Sequence, residues 1–194
     1  MRKNRIVSIL TVALLAGCSG ETGKTARQED EAASAIKNAN PLDPQTAASQ
    51  FEKIKSLVGQ WYLVGGNQLG QELEPNLEEP FVTYDLTAGG HCVIEKLFAG
   101  QPKEMTTIYH LDGGQLVLAH YCSLGNQPHM VAVPGPENHI SFELVKVGNL
   151  ISEDDLHISS HSLEFGPQDE LTAHWAATRD QKPASQSLFR VQRK

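Results

Sequence analysis

The sequence predicts an all-β domain, an antiparallel up-and-down β-barrel of about 8–10 strands with one N-terminal capping helix. Three observations carry that expectation. Between residues 61 and 192, short runs rich in Val, Ile, Phe, Tyr and Thr alternate with turn signals such as Ala88-Gly89-Gly90, Asp112-Gly113-Gly114 and Pro134-Gly135-Pro136. No segment between those runs is long and periodic enough for a crossover helix, so neighbouring strands should be antiparallel. The one helical signal lies ahead of the strands, and the stretch from residue 60 to 194 fits one domain with one core.

Asp43-Pro44 writes the helix start: an N-cap acceptor, then a residue whose missing N–H costs nothing at the first helical position. Ala47, Phe51, Ile54 and Val58 share one face, the helix runs to about Leu57, and Gly59 ends it. The strands expected to follow are Trp61–Val64, Phe81–Leu86, His91–Phe98, Met105–Leu111, Gln115–Cys122, His129–Val133, His139–Val147, Leu156–Phe165, Leu171–Thr178 and Ser185–Gln192. The barrel domain therefore spans residues 43–194.

The segment ahead of it has a different character. Residues 1–17, MRKNRIVSILTVALLAG, place Arg2, Lys3 and Arg5 before an apolar run from Ile6 to Ala16, the layout of an export signal. That run is too short to span a bilayer. Leu15-Ala16-Gly17-Cys18 resembles the lipobox of bacterial lipoproteins, which implies cleavage before Cys18 and acylation, palmitate included, at that residue. Because Ser19 rather than an aspartate follows, the resemblance implies anchoring in the outer membrane, facing the periplasm of a bacterial cell envelope. Residues 18–42 then form a lipidated cysteine and a tether, too poor in large apolar groups to order itself. Loss of residues 1–17 leaves 13 Lys plus Arg against 23 Asp plus Glu, a formal charge of -10. Such a surface repels nucleic acid and anionic headgroups, so the membrane is reached through the lipid and no nucleic-acid partner is expected.

Gly59-Gln60-Trp61 on the first strand and Arg190 in LFRVQRK on the last resemble the lipocalin and wider calycin pattern. The resemblance covers residues 44–194 in outline. It implies a lipocalin-like barrel in which Trp61 plugs the closed end, Arg190 packs over it, and a ligand sits inside. The segments VIEKLFAGQPKEM, IYHLDGG and HYCSLGNQPHM also resemble a bacterial group of unknown function, which brings no activity with it.

The stretch HYCSLGNQPHM, His120 to Met130, concentrates the residues with chemistry. If Asp112-Gly113 makes a two-residue hairpin turn, Met105 faces His120, and Met105, Thr107, Tyr109, Leu111, Leu116, Leu118, His120 and Cys122 form the more apolar face. That face is assigned to the interior; a three-residue Asp-Gly-Gly loop would re-pair it. Pairing Cys122 with His129 across the loop would bring Met105, His120, Cys122 and His129 to one corner. The commoner environment of Cys and Met is a packed core. The sharper alternative is a soft or borderline metal, or haem, held by His120, Cys122, His129 and Met105. No cofactor is specified. A nucleophilic thiol is disfavoured because Cys122 ends a strand before a loop, without a helix N-terminus or cationic base.

Cys92 and Cys122 are expected at opposite barrel ends, too far apart for a disulfide. His157 and His161, four residues apart on a strand, would be separated by about 13 Å and could not share one ion. Glu95, a lone acid in VIEKLF, could be a buried acid poised for ligand contact, but an exposed strand position is the commoner explanation. G-x-S-x-G, H-E-x-x-H and phosphate-loop motifs are absent, so no catalytic residues are assigned. The helix and Trp61 should close one end, leaving the other open to a small, mainly apolar molecule that meets Met105, His120, Cys122 and His129 first and Tyr109, Leu116 and Leu118 deeper. Two rival functions follow from the same chain: a metal- or haem-binding protein, and an envelope-assembly lipoprotein whose filled barrel holds no ligand.

Overall fold

The structure, a computed structural model, describes residues 40–194; the leader, Cys18 and the tether up to residue 39 lie outside the described residues. At its start Leu42 is already buried, its N–H 3.4 Å from the Ala132 carbonyl. The Asp43 carboxylate then accepts from the N–H groups of Gln45 and Thr46 at 3.0 and 3.1 Å, which caps helix α1, Pro44–Lys55. Ala47, Phe51 and Ile54 face inward as the periodicity predicts. Val58 does not. The helix stops at Lys55, so Leu57 turns into the core and Val58 is left exposed.

Eleven strands follow: β1 Gly59–Gln68, β2 Gln71–Leu73, β3 Val82–Thr87, β4 Cys92–Leu97, β5 Met105–Asp112, β6 Gln115–Tyr121, β7 Gln127–Val133, β8 His139–Gly148, β9 His157–Phe165, β10 Glu170–Arg179 and β11 Lys182–Gln192. Sequential antiparallel pairing and a β11–β1 ladder close ten of them into an up-and-down barrel. Strand β2 is the addition that the sequence did not announce. It hairpins back on the far half of β1, where Asn67 faces Glu72, and three polar-flanked residues give no periodic signal.

Gly65-Gly66 lies within β1, beside an irregularity in its pairing with β11. There the register shifts between Leu63 and Gly65, and a Cβ on Gly66 would stand 2.1 Å from the Leu188 carbonyl oxygen. Only glycine permits so close a backbone approach.

The helix end of the barrel is closed by Trp61, as the G-x-W resemblance implies. Its indole N–H donates to the Leu57 carbonyl at 2.7 Å. The cation over it is Arg193, 4.6 Å from the ring centroid, and not Arg190. Strand parity explains the correction: Phe189 and Val191 point inward, so Arg190 between them points out and is exposed. Arg193 also donates to the carbonyls of Ser56 and Val58, taking up groups that the end of α1 leaves without helical partners.

Candidate functional site

Strands β5 and β6 form the floor of the site. The hairpin turns on Gly113-Gly114, with φ of 55° and 83°, so Asp112 pairs with Gln115 and Tyr109 with Leu118. A two-residue turn with positive φ at both positions suits Gly-Gly better than Asp-Gly. The pairing therefore moves by an even number from the predicted one. The face keeps its parity, although Leu111 at its end is exposed, while His120 finds Thr107 opposite it instead of Met105.

The next turn differs by an odd number, with a larger consequence. The Cys122 N–H donates to the Asn126 carbonyl at 3.1 Å, which leaves a three-residue loop ending in Gly125, φ 85°. Pro128, expected in the loop, instead continues β7 just beyond the short ladder that joins Val117–Ala119 to β7, where its missing N–H breaks no pair. His129 consequently faces Ala119 on the outer wall, and Met130 takes the inward place. There His129 lies near His110 and Lys146, and burial, Lys146 and His110 together lower its pKa.

Beneath the open end lies a chain of buried polar side chains. Glu95, on β4 between Tyr84 of β3 and Thr107 of β5, is 2 % exposed, which corrects the surface position expected for it. Tyr109 Oη is 2.6 Å from Glu95 Oε2 and 3.1 Å from His161 Nε2. Thr107 Oγ1 is 3.5 Å from Glu95 Oε1 and 2.9 Å from His120 Nδ1. Each arm ends on a histidine against Trp175, His161 stacked on its ring at 3.7 Å between centroids and His120 tilted to it at 4.6 Å.

Proton accounting fixes the charge state of one arm. His161 Nδ1 is 2.9 Å from the His174 carbonyl, which can only accept, so Nδ1 carries a proton and Nε2 of the neutral ring is bare. Tyr109 has one proton for two neighbours. Both contacts are satisfied when protonated Glu95 donates to Tyr109 and Tyr109 donates to His161. Burial favours that neutral state: it pushes Glu95 up to about 7, against the pull of the Tyr109, Tyr84 and Thr107 hydroxyls, and pushes His161 down to about 3. Burial also lowers His120 to about 4.

Above this layer, at the end opposite α1, a pocket of about 110 Å³ opens. Its wall is mainly apolar, from Leu97, Met105, Ile158, Phe189 and the ring of Trp175, with His120 and Cys122 among the polar members and no Lys, Arg, Asp or Glu. The Trp175 indole N–H is buried without a hydrogen-bond partner. The loops that frame this end are tied together, Asn126 donating to the Leu156 carbonyl at 2.9 Å and Asn149 to that of Gly125 at 2.7 Å.

No protein-family model matches the chain, and no curated protein is significantly similar to it. The functional reading therefore rests on this geometry.

Of the residues the sequence singled out for a ligand, Met105, His120 and Cys122 line the pocket. Tyr109, Leu116 and Leu118 lie in the closed core below it. His129 is excluded, so the corner of four ligating residues does not assemble; among the described residues, no group of three or more His, Cys, Asp and Glu is placed to hold a metal. Cys92 and Cys122 are both free, at opposite ends as expected, and burial raises the Cys122 pKa, so its thiol stays protonated. The sequence reading passed over Trp175, and it weighed His161 only as a metal partner of His157. The signal for Trp175 was present in Leu171, Ala173, Trp175 and Ala177, an inward row in which the one large ring stands between two alanines.

Proposed function

We propose that this protein is a lipid-anchored barrel of the bacterial cell envelope, lipocalin-like in architecture, that holds a small, mainly apolar molecule in the pocket at its open end. The observation that carries the reading is the pocket itself: an uncharged, largely apolar recess at the open end, walled by Leu97, Met105, Ile158, Phe189 and the ring of Trp175 with His120 beside them. A volume of about 110 Å³ is close to the ~150 Å³ of a cavity that takes benzene, so the occupant is a small ring or the end of a longer chain. The anchoring part rests on Cys18 and the residues before it.

Native mass spectrometry of the protein as isolated tests the reading. A non-covalent added mass that leaves on unfolding, and is missing from an Ala177→Phe variant with the pocket filled, is the expected result. A bare polypeptide mass that no small apolar probe changes would refute it. Such a result would favour a role in envelope assembly, for which Leu69, Leu124 and Ile151 stand exposed on loops at the open end.

A further inference from the structure

We infer that the pocket selects uncharged molecules with a hydrogen-bond acceptor, because the Glu95–Thr107–His120 contacts make His120 an Nε2–H donor in its wall. The inference rests on the binding reading above and names the chemistry of the occupant. The His120 ring contacts Thr107 through Nδ1, which leaves Nε2, on the far side of the ring, without a hydrogen bond among the described residues. Since His120 forms part of the pocket wall, that nitrogen is the one available to a ligand.

Which ring nitrogen carries the proton follows from Glu95. Protonated, Glu95 gives its hydrogen to Tyr109; the Thr107 hydroxyl is then free to donate to His120 Nδ1, and the ring proton sits on Nε2. Ionised, the carboxylate accepts from the hydroxyls that face it, Thr107 and Tyr109 from β5, with Tyr84 of β3 beside them. Thr107 then turns away from His120, Nδ1 must donate to Thr107, and Nε2 becomes an acceptor. The net change is one proton lost by Glu95; the ring proton moves from Nε2 to Nδ1 by exchange with solvent. Beyond the hydroxyls, the ionisable groups packed on this layer are His120 of β6 and His161 of β9, and burial keeps both neutral.

A donor and no charge in the wall describe a site for a ketone, aldehyde, ester or lactone. A carboxylate finds no cation there, and an alcohol, which can accept or donate, serves either tautomer. The probes are cyclopentanone, cyclopentanol and cyclopentane, with full-length protein labelled with nitrogen-15 in its histidines. The expected result is an Nε2–H tautomer for His120 at pH 6 and an Nδ1–H tautomer at pH 8, with Glu95→Gln held in the Nε2–H form at both. Cyclopentanone should bind native protein about three- to tenfold more weakly at pH 8, the loss of one hydrogen bond, while cyclopentanol does not weaken. A tautomer that does not move in native protein, or that still moves in Glu95→Gln, overturns the inference and leaves the binding reading standing; so does cyclopentane binding as well as the ketone. Should no ring bind at either pH, the binding reading fails and the inference with it. The native pH profile suffices for the test if Glu95→Gln does not fold.

Discussion

Replacing Glu95 by Gln keeps the side-chain shape and supplies an N–H where the protonated acid has an O–H, so Tyr109 and His161 retain their chain of hydrogen bonds. It removes only the ability to ionise. In the native barrel the carboxyl titrates near 7, against the ordinary value of 4.5 that it regains on unfolding. Between those values the unfolded chain has lost a proton that the folded one keeps, so stability falls as pH rises through this window and levels off above it. A displacement of that size corresponds to about 3 kcal/mol at ~1.4 kcal/mol per unit. His120 and His161 act in the opposite sense. Their folded values of about 4 and about 3 lie below the ordinary 6.5, so the unfolded state gains protons first and stability falls as pH drops below 6.5. Native stability should peak near pH 6.5. Because both histidines are present in the variant, the difference between variant and native isolates Glu95. Urea unfolding at half-unit steps from pH 4 to pH 8.5 should give a difference that is flat to about 4.5, rises in favour of Gln, and flattens above 7. At pH 8 the gain corresponds to a melting temperature about 6–12 °C higher relative to the native–variant difference at pH 4. A difference independent of pH would show that the carboxyl titrates normally and is not held in the neutral chain.

Three further outcomes follow from the sequence and the fold. Cys18→Ala should move the protein from the membrane to the soluble fraction on cell fractionation, with the barrel's circular dichroism unchanged once purified. Arg193→Ala should cost about 1–3 kcal/mol in urea unfolding, through the carbonyls of Ser56 and Val58 and the face of Trp61, whereas Arg190→Ala should fall within about 0.5 kcal/mol of native. Gly66→Ala should cost roughly 2–4 kcal/mol or prevent folding, since the added methyl meets backbone at Leu188 and not a side chain that can turn aside.

Architecture was legible in this sequence because it depends on signals that repeat: ten alternating runs, turn residues between them, and an Asp-Pro helix start. Inward faces were legible for the same reason, and the β5–β6 hairpin kept them although its turn moved, since an even shift preserves side-chain parity. Loop length was not legible. Whether the chain turns over Ser123–Gly125 or over Ser123–Pro128 is decided by small energies in an irregular segment, yet the choice moves His129 to the outer wall and removes one of the two histidines that the stretch from His120 to Met130 offered. The arginine over Trp61 was misassigned by parity of the same kind, read three residues too early on β11. Glu95 failed for a different reason. A lone acid among apolar residues is usually exposed, and nothing local in VIEKLF shows that three hydroxyls from β3 and β5 stand ready to hold it.

That failure bears on function. A carboxyl at the centre of a barrel is costly, and a Leu or Met packed in its place would relieve the fold of a buried ionisable group. The polar residues are not scattered through the interior. Glu95, Thr107 and His120 form the layer directly below Leu97, Met105 and Cys122 at the open end, while the layers nearer α1 are apolar, with Leu116, Ile140, Leu163 and Leu171. A network needed only to specify the fold would serve as well at the plugged end, where no ligand can reach it. Its position under the pocket that His120 lines fits the proposed binding role, and it puts the stability peak and the His120 tautomer under the control of the same proton.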